Sequence, residues 1–217
     1  MNYRLLIVLL SFGINAQAQK QFTEGVLVYN IAIENISTGS PVSSPLNGAV
    51  LTHYISLSQS RSELKNALGT EHTVYSNRNN KGFILKEYSG QKLMITMNNN
   101  NWLQKNQYYS NLRFNISNDT TIGDYKCRKA TAVTDDGKTL IVYFAPDISI
   151  ANSHYSNAFP QLPGLPILYK LQSGNLSFVY TLASVLYEAV SASKYEAPRS
   201  GYRTMSYEEN QQLKKGE

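Results

Sequence analysis

The sequence predicts a mainly β protein, because short runs rich in Val, Ile, Tyr, Phe and Thr alternate with clusters of Gly, Asn, Asp and Ser along most of the chain. Helical periodicity is scarce, and no period of about 20 to 50 residues recurs that would indicate a solenoid or a propeller. The single cysteine in 217 residues excludes an internal disulfide, so burial and strand pairing have to stabilise the fold. We therefore expect one β-rich domain over residues 19–217.

Residues 1–18 have the composition of a secretory signal peptide. Arg4 supplies a positive charge, residues 5–12 form an apolar core, and Ala18 ends the small-x-small pattern that signal peptidase recognises. The apolar run of about eight residues is far shorter than the roughly 20 that cross a bilayer as a helix. We expect cleavage between Ala18 and Gln19, which would give a soluble exported protein, periplasmic or secreted, without a membrane-spanning segment.

The charge of the chain gives little support for nucleic-acid binding. The formal net charge is +5 at pH 7, and the basic residues are spread along the chain. Nucleic-acid binding usually needs Lys and Arg gathered in a patch or a stripe. We therefore expect no nucleic-acid partner.

The first half of the domain is predicted to be a meander of antiparallel strands. Residues 22–33 form a long first strand with apolar residues on both faces, which suggests that it is covered on both sides for part of its length. Arg61, Glu63 and Lys65 would share one face of a later strand, and we expect that face to be solvated. The four asparagines at 98–101 are expected to form a reversal, because Asn tolerates the left-handed conformation of turns.

The second half repeats the hairpin pattern. The run Asp-Asp-Gly-Lys at 135–138 predicts a tight turn between strands at 125–133 and 139–144. Residues 148–159 have no clean period and are expected to be a loop or a short helix. Further strands are predicted at 167–171, 176–182 and 185–190.

A short polar helix is predicted to close the chain. Ser206 and Glu209 have the spacing of a capping box, in which each side chain accepts a hydrogen bond from a backbone N–H of the first turn. The helix should continue to about Lys214.

The sequence carries no recognisable catalytic pattern, and we expect a non-enzymatic protein with no catalytic residue, cofactor or metal ion. The histidines lack the spacings that gather metal ligands. They are His53, His72 and His154. Cys127 is expected to be a small buried group packed beside Tyr125 and Val133, because no base stands near it in the sequence to activate a nucleophile.

Four segments together resemble a known family. They are EGVLVY at 24–29, GDYKCRKA at 123–130, LPGLP at 162–166 and YEAPRSGY at 195–202. Their order and spacing resemble the GLPGLI family of exported Gram-negative proteins and a related domain-of-unknown-function family, both distantly similar to the LolA-like lipoprotein carriers. The name-giving motif ends Gly-Leu-Ile where this chain has Gly164-Leu165-Pro166, so the related family is resembled at least as closely.

The resemblance implies a strongly curved antiparallel sheet, an incomplete barrel with few short helices, whose apolar concave face is covered by helices or loops. In LolA-like carriers that face holds acyl chains. Two functions are therefore open: a periplasmic binding or carrier protein that shelters a lipid, lipopeptide or lipoprotein acyl chain, or a non-enzymatic envelope protein that binds a protein partner and fills the concavity with its own side chains.

The rigid apolar turn at 162–166 is the candidate site, either as a ligand gate or as a plug of the core. Two prolines fix φ there and one glycine permits a sharp bend just before a strand. Its residues are Leu162, Pro163, Gly164, Leu165 and Pro166.

Overall fold

The computed structural model describes residues 19–156 and 158–215, so the predicted signal peptide lies outside the described residues. Fourteen strands, two α-helices and three short 3-10 turns occur in this part of the chain. The strands are β1 (Lys20–Phe22), β2 (Gly25–Asn35), β3 (Val50–Ile55), β4 (Gln59–Asn66), β5 (Gly69–Ser76), β6 (Lys81–Tyr88), β7 (Gln91–Met97), β8 (Asn115–Ile122), β9 (Tyr125–Val133), β10 (Thr139–Ala145), β11 (Ile148–Ile150), β12 (Leu165–Ser173), β13 (Leu176–Leu186) and β14 (Arg203–Ser206). The helices are α1 (Asn99–Lys105) and α2 (Tyr207–Lys215), and the 3-10 turns cover Gln107–Tyr109, Ser153–Tyr155 and Ala192–Tyr195.

Twelve of the described strands form one curved sheet, in the order β14-β7-β6-β5-β4-β3-β2-β13-β12-β10-β9-β8. Neighbouring strands are antiparallel except for β14, which pairs in parallel with β7. Strands β1 and β11 form a separate parallel pair. The edge strands β14 and β8 do not pair with each other in the described ranges, so the sheet stays open. The predicted fold class, a curved and mainly antiparallel sheet with few short helices, is confirmed.

Side chains alternate between the two faces of this sheet. We call the face that carries Leu27, Tyr29 and Val142 the inner face. It holds the main core, in which β1, β11 and the residues before β12 pack against the sheet. A second core on the inner face lies towards β14, where α1 packs through Trp102. None of the helices within residues 19–156 and 158–215 is long and apolar enough to cross a membrane.

The outer face carries a smaller core under the C-terminal strap, which we define as residues 190–202. Val74, Phe83 and Leu85 of β5 and β6 pack there against Tyr195 of the strap. The sheet is therefore covered on both faces between β3 and β7.

The prediction of one continuous strand at 22–33 is wrong, because the structure divides this segment into β1 and β2. Strand β1 ends at Phe22 and β2 begins at Gly25, where φ is +149°. A Cβ at Gly25 would lie 2.1 Å from the carbonyl oxygen of Leu186, so only glycine permits this approach of two backbones. The expected cover on both faces is confirmed, because Val26 and Leu27 are both buried.

The asparagine run begins a helix, so the predicted reversal is wrong. Asn98 is the N-cap of α1: its side chain accepts a hydrogen bond from the backbone N–H of Asn101 at 3.0 Å, and the Asn101 side chain accepts one from the Asn98 backbone at 3.0 Å. Asn prefers caps as well as turns, because its carbonyl oxygen substitutes for a backbone acceptor. Composition alone did not separate the two outcomes.

Three boundaries in the second half also differ from expectation. The strands predicted at 176–182 and 185–190 are the single strand β13, which has a bulge between Leu182 and Ser184 and ends at Leu186. Strand β12 begins at Leu165, two residues early. The stretch 148–159 contains β11 as well as a 3-10 turn.

Two local predictions are confirmed. The hairpin of β9 and β10 turns at Gly137, whose φ is +79°. The C-terminal helix α2 begins with the predicted capping box, in which the Ser206 backbone donates to Glu209 Oε2 at 2.6 Å and the Glu209 backbone donates to Ser206 Oγ at 3.1 Å.

Candidate ligand-binding cleft

A cleft of about 210 Å³ lies between the inner face and the segments that cover it. The cover consists of α1 with the 3-10 turn after it, and of the loop whose described parts are residues 151–156 and 158–164. The residues around the cleft are Leu51, Lys105, Asn106, Tyr109, Leu140, Ser156, Ala158, Phe159, Tyr169, Leu171 and Tyr180. Most of these side chains are apolar or aromatic.

The floor of the cleft is aromatic because β12 and β13 place tyrosines side by side. Tyr169 and Tyr180 are direct partners in the strand register. Their rings stack with centroids 4.3 Å apart and planes 9° apart. Phe159 of the covering loop meets Tyr169 edge to face at 4.9 Å. Such aromatic pairs contribute stability beyond simple burial.

The covering loop is tied to the sheet by the buried side chain of Asn152. Its Nδ2 donates to the carbonyl oxygens of Ser56 at 2.8 Å, directly after β3, and of Gln59 at 3.2 Å, at the start of β4. Its Oδ1 accepts from Asn77 Nδ2 at 3.2 Å and from the His154 backbone at 3.0 Å. One amide therefore fixes both the 3-10 turn at Ser153–Tyr155 and the position of the loop.

The helical part of the cover is held by α1. Trp102 stacks on Tyr75 of β5 with centroids 4.1 Å apart. Asn101 Nδ2 donates to Glu208 Oε1 of α2 at 2.5 Å, which joins the two helices. A second cavity of about 150 Å³ lies beside Trp102 and shares Asn106 and Tyr109 with the cleft.

The cleft carries one ionisable cation among neutral phenols. Burial lowers the pKa of Lys105, while the Glu71 carboxylate opposes this effect and Lys214 and Lys86 add to it. Burial raises the pKa of Tyr180 to about 12 and raises the pKa of Tyr109 as well. Tyr109 and Tyr180 therefore stay protonated and able to donate at neutral pH.

The sequence-predicted site at 162–166 lies within the core rather than around the cleft. Leu165 is 0% exposed and Pro166 is fully buried, whereas Pro163 is exposed. The Tyr29 hydroxyl donates to the Pro166 carbonyl at 2.8 Å, so two of the four family-like segments meet here. None of the five residues lines either cavity.

Gly164 is required by a close approach of two strands. A Cβ at this position would lie 2.4 Å from the Ala145 carbonyl oxygen and 2.7 Å from Cδ2 of Phe144. The expected bend before the strand is confirmed at Pro163 and Gly164, but the φ of Gly164 lies outside the left-handed region, so the glycine is required there because it has no side chain.

Cys127 is a buried thiol, as predicted. It is 2% exposed and belongs to the main core. Burial raises its pKa, which keeps it protonated and unreactive. The expected contact with Val133 is wrong, because Val133 is 63% exposed at the end of β9.

The histidines occupy three different surroundings. His53 is buried on the inner face, its Nδ1 lies 3.0 Å from Ser62 Oγ, and burial lowers its pKa to about 4. His154 is in the covering loop and His72 is on the outer face. Over residues 19–156 and 158–215, no group of three or more His, Cys, Asp or Glu side chains is placed to hold a metal ion.

The outer face carries a half-buried charge network, so the predicted solvated face is wrong for two of its three residues. Arg61 Nη2 lies 3.2 Å from Glu63 Oε2, and Arg61 Nη1 donates to the Lys194 carbonyl of the strap at 3.1 Å. His72 Nδ1 lies 2.8 Å from Arg61 Nη2 and 3.2 Å from Glu63 Oε2. The strap shields these groups, and Lys65 alone remains exposed.

The network also shifts the acidity of Glu63. A hydrogen bond from His72, together with the positive charges of His72 and Arg61, lowers the pKa of Glu63 to about 2 against the opposing effect of burial. Arginine can only donate, so His72 Nδ1 accepts from Arg61 where this nitrogen carries no hydrogen and can donate to Glu63 where it carries one.

Sequence reasoning did not identify the residues that form and hold the cleft. Lys105 and Tyr109 lie just after an asparagine run that was expected to be a turn, and Asn152 lies in a stretch without periodicity. The only available signal was the aromatic content of the predicted strands around Tyr169 and Tyr180.

Comparison with known proteins yields fold similarity alone. No family model and no curated protein matches the chain, so the resemblance to the GLPGLI family stays a prediction. A solved structure of PNGF-II is 13% identical with a TM-score of 0.53, over 88% of this chain and 33% of that one, so this chain spans about a third of its length. An uncharacterised conserved protein from Thermus thermophilus is 7% identical with a TM-score of 0.49, over 82% and 90% of the two chains.

Two further solved structures have lower TM-scores. MucB is 10% identical with a TM-score of 0.41, over 84% of this chain and 60% of that one. LprF from Mycobacterium bovis is 9% identical with a TM-score of 0.37, over 81% and 90%. These scores are too low to carry an argument, and the similarity to PNGF-II concerns the fold alone.

Proposed function

We propose that this chain is an exported, non-enzymatic binding or carrier protein that shelters the acyl chain of a lipid, lipopeptide or lipoprotein in the cleft on its inner face. The observation that carries the proposal is the cavity of about 210 Å³ between an aromatic floor and a cover tied down at Asn152. One water needs only about 10–15 Å³, so the space exceeds what a few waters fill. Export rests on the predicted signal peptide and the cleavage between Ala18 and Gln19.

The composition of the cleft supports an apolar ligand. Leu51, Leu140 and Leu171 offer aliphatic surface, and Tyr169 and Tyr180 offer ring faces. Burying apolar surface contributes roughly 25 cal/mol per Å², and a largely pre-formed pocket loses little of this to ordering. Among the described residues around the cleft, Lys105 is the only base or nucleophile with a lowered pKa. The arrangement therefore favours binding over catalysis.

A second candidate is a non-enzymatic envelope protein that contacts a protein partner and has a filled inner face. The burial of Leu165 and Pro166 supports this reading, because a plug at 162–166 would fill the inner face with side chains of the protein itself. The plug and the cleft occupy different parts of the inner face, so a plug does not by itself exclude a ligand.

Titration with a fluorescent fatty acid tests the proposal. Leu171→Phe adds volume inside the cleft, and Leu168→Phe makes the same change in the same strand on the outer face. We expect saturable binding of one fatty acid by the natural protein, at least about tenfold weaker binding by Leu171→Phe, and unchanged binding by Leu168→Phe. If the natural protein folds but binds no apolar probe, the carrier proposal is contradicted and the second candidate function remains.

A further inference from the structure

Lys105 is the only charged residue among those that line the cleft. No carboxylate in the described ranges lies within ion-pair distance of its ammonium group. The Glu71 carboxylate acts on Lys105 from a distance, but Glu71 Oε2 is paired with Lys86 Nζ at 3.4 Å. A half-buried ammonium without a partner is costly, and an anion bound in the cleft would offset that cost.

Three phenol hydroxyls in the same cleft are hydrogen-bond donors that have no acceptor among the described residues. They belong to Tyr109, Tyr169 and Tyr180. None of these hydroxyls makes a hydrogen bond with another group in the part of the chain that the structure describes. Burial raises the pKa of all three, so each keeps its proton at neutral pH. An ammonium and phenolic O–H groups together match a ligand that supplies negative charge and acceptor oxygens.

The size of the cleft limits the rest of the ligand. Sites for drug-sized molecules usually measure about 300–1,000 Å³, and this cleft measures about 210 Å³. A second cavity of about 150 Å³ beside Trp102 shares Asn106 and Tyr109 with the cleft. Volumes of this size suit one alkyl chain, whereas a lipid with two or three chains would need more space.

We propose that the cleft selects a single-chain amphiphile with a carboxylate headgroup, in which the carboxylate pairs with Lys105 and the chain lies against the tyrosine floor. This inference rests on the proposed binding function and specifies its ligand class. The phenol of Tyr109 or Tyr180 donates to the second carboxylate oxygen. Lys105 is the specificity-determining residue, and the apolar floor provides affinity that does not depend on the headgroup.

The test compares dodecanoic acid with dodecanol, which share a chain and differ in charge. Calorimetric titration at pH 7 uses the natural protein, Lys105→Met and, as a control for net charge, Lys65→Met on the exposed outer face. We expect the natural protein and Lys65→Met to bind the acid at least about tenfold more tightly than the alcohol, as charged hydrogen bonds allow. In Lys105→Met this preference should disappear while affinity for dodecanol is kept. Lys105→Arg should keep the preference for the acid. It is the variant to measure if Lys105→Met does not fold.

The outcomes separate the two levels of the proposal. Equal binding of acid and alcohol by the natural protein, or an acid preference that survives in Lys105→Met, would overturn the headgroup inference and leave the carrier function standing. Binding of neither ligand would overturn the carrier function itself. Because burial lowers the pKa of Lys105, the acid preference should also weaken as pH rises through that lowered value, before ordinary lysines lose their charge.

Discussion

Strand β4 faces two opposite surroundings, and the comparison shows how one sheet serves two purposes. Ser60 and Ser62 lie on the inner face, where Ser60 Oγ donates to the His154 carbonyl of the cover at 3.3 Å. Arg61 and Glu63 alternate with them in sequence and lie on the outer face, within the charge network under the strap. Small hydroxyls let the covering loop approach closely, whereas long charged groups on the other face bind one another and the strap.

The difference explains why only one face is a candidate for ligand binding. On the outer face Arg61, Glu63 and His72 contact one another through Arg61 Nη2, Tyr202 donates to Glu87 beside them, and Arg61 Nε is left without a partner among the described residues. Groups that are already paired gain little from a ligand. On the inner face Lys105 and the phenols are unpaired within the described ranges, and space remains between floor and cover.

The largest expected effect comes from a charge placed inside the inner-face core. Leu165→Asp should lower the free energy of unfolding by at least about 4 kcal/mol, because a carboxylate would be buried without a partner at a position that is 0% exposed. Pro163→Asp, two residues away and exposed, should cost less than about 1 kcal/mol. Chemical denaturation measures both. If Leu165→Asp kept its stability and lost only fatty-acid uptake, the segment at 162–166 would be a gate instead of a plug.

The two faces should lose stability in different pH ranges. His53 has a folded-state pKa of about 4, below its ordinary 6.5, so between pH 6.5 and 4 the unfolded chain takes up a proton that the folded chain refuses. Stability should therefore fall by up to about 3 kcal/mol as pH drops through this range. Glu63 on the outer face has a pKa of about 2. Its contribution to stability is therefore lost only as pH falls from 4.5 to 2.

Denaturation at a series of pH values separates these contributions. His53→Phe, which keeps an aromatic ring against Tyr29 and Tyr155, should flatten the profile between pH 6.5 and 4 and leave the lower range unchanged. An unchanged profile in His53→Phe would mean that another group causes the loss. Glu63→Gln should alter only the range below pH 4.5.

A smaller effect concerns the attachment of the cover. Asn152→Asp keeps the acceptor oxygen that caps the 3-10 turn and removes the amide that donates to Ser56 and Gln59. We expect a loss of about 2 kcal/mol and faster hydrogen exchange across residues 151–156. Asn77→Ala removes only the contact of 3.2 Å to Asn152 and should cost less. Equal costs for the two variants would show that Asn152 does not anchor the cover.

More of the fold than of the candidate site could be predicted from the sequence. Strand alternation and the Asp-Gly turn depend on local chemistry, so the β-rich class, the hairpin at Gly137 and the capping box at Ser206 followed from neighbouring residues, whereas the open curved sheet was implied by the family resemblance. The role of Gly164 depends on Ala145, and the burial of Arg61 depends on the strap at Lys194. Such pairings join distant parts of the chain, and no local pattern reports them.

The cleft could not be predicted from the sequence, because its residues also come from distant parts of the chain. Lys105, Tyr109 and Phe159 come together only after α1 and the loop at 151–164 fold over the inner face. The asparagine run was ambiguous between turn and cap, and the loop has no period. The resemblance to a known family directed attention to 162–166, which is conspicuous in sequence because of its prolines and lies in the core.

The fluorescence of Trp102 offers the most direct test of ligand binding on the inner face. Trp102 is the only tryptophan in the chain and borders the cavity that adjoins the cleft, on the inner face. A fatty acid brominated along its chain quenches tryptophan emission by contact, whereas the unbrominated acid does not. We expect saturable quenching at one equivalent of brominated acid, reversed by unbrominated acid and weakened in Leu171→Phe. Binding of the acid, detected by calorimetry, without any quenching of Trp102 would place the ligand away from the inner face and contradict this account.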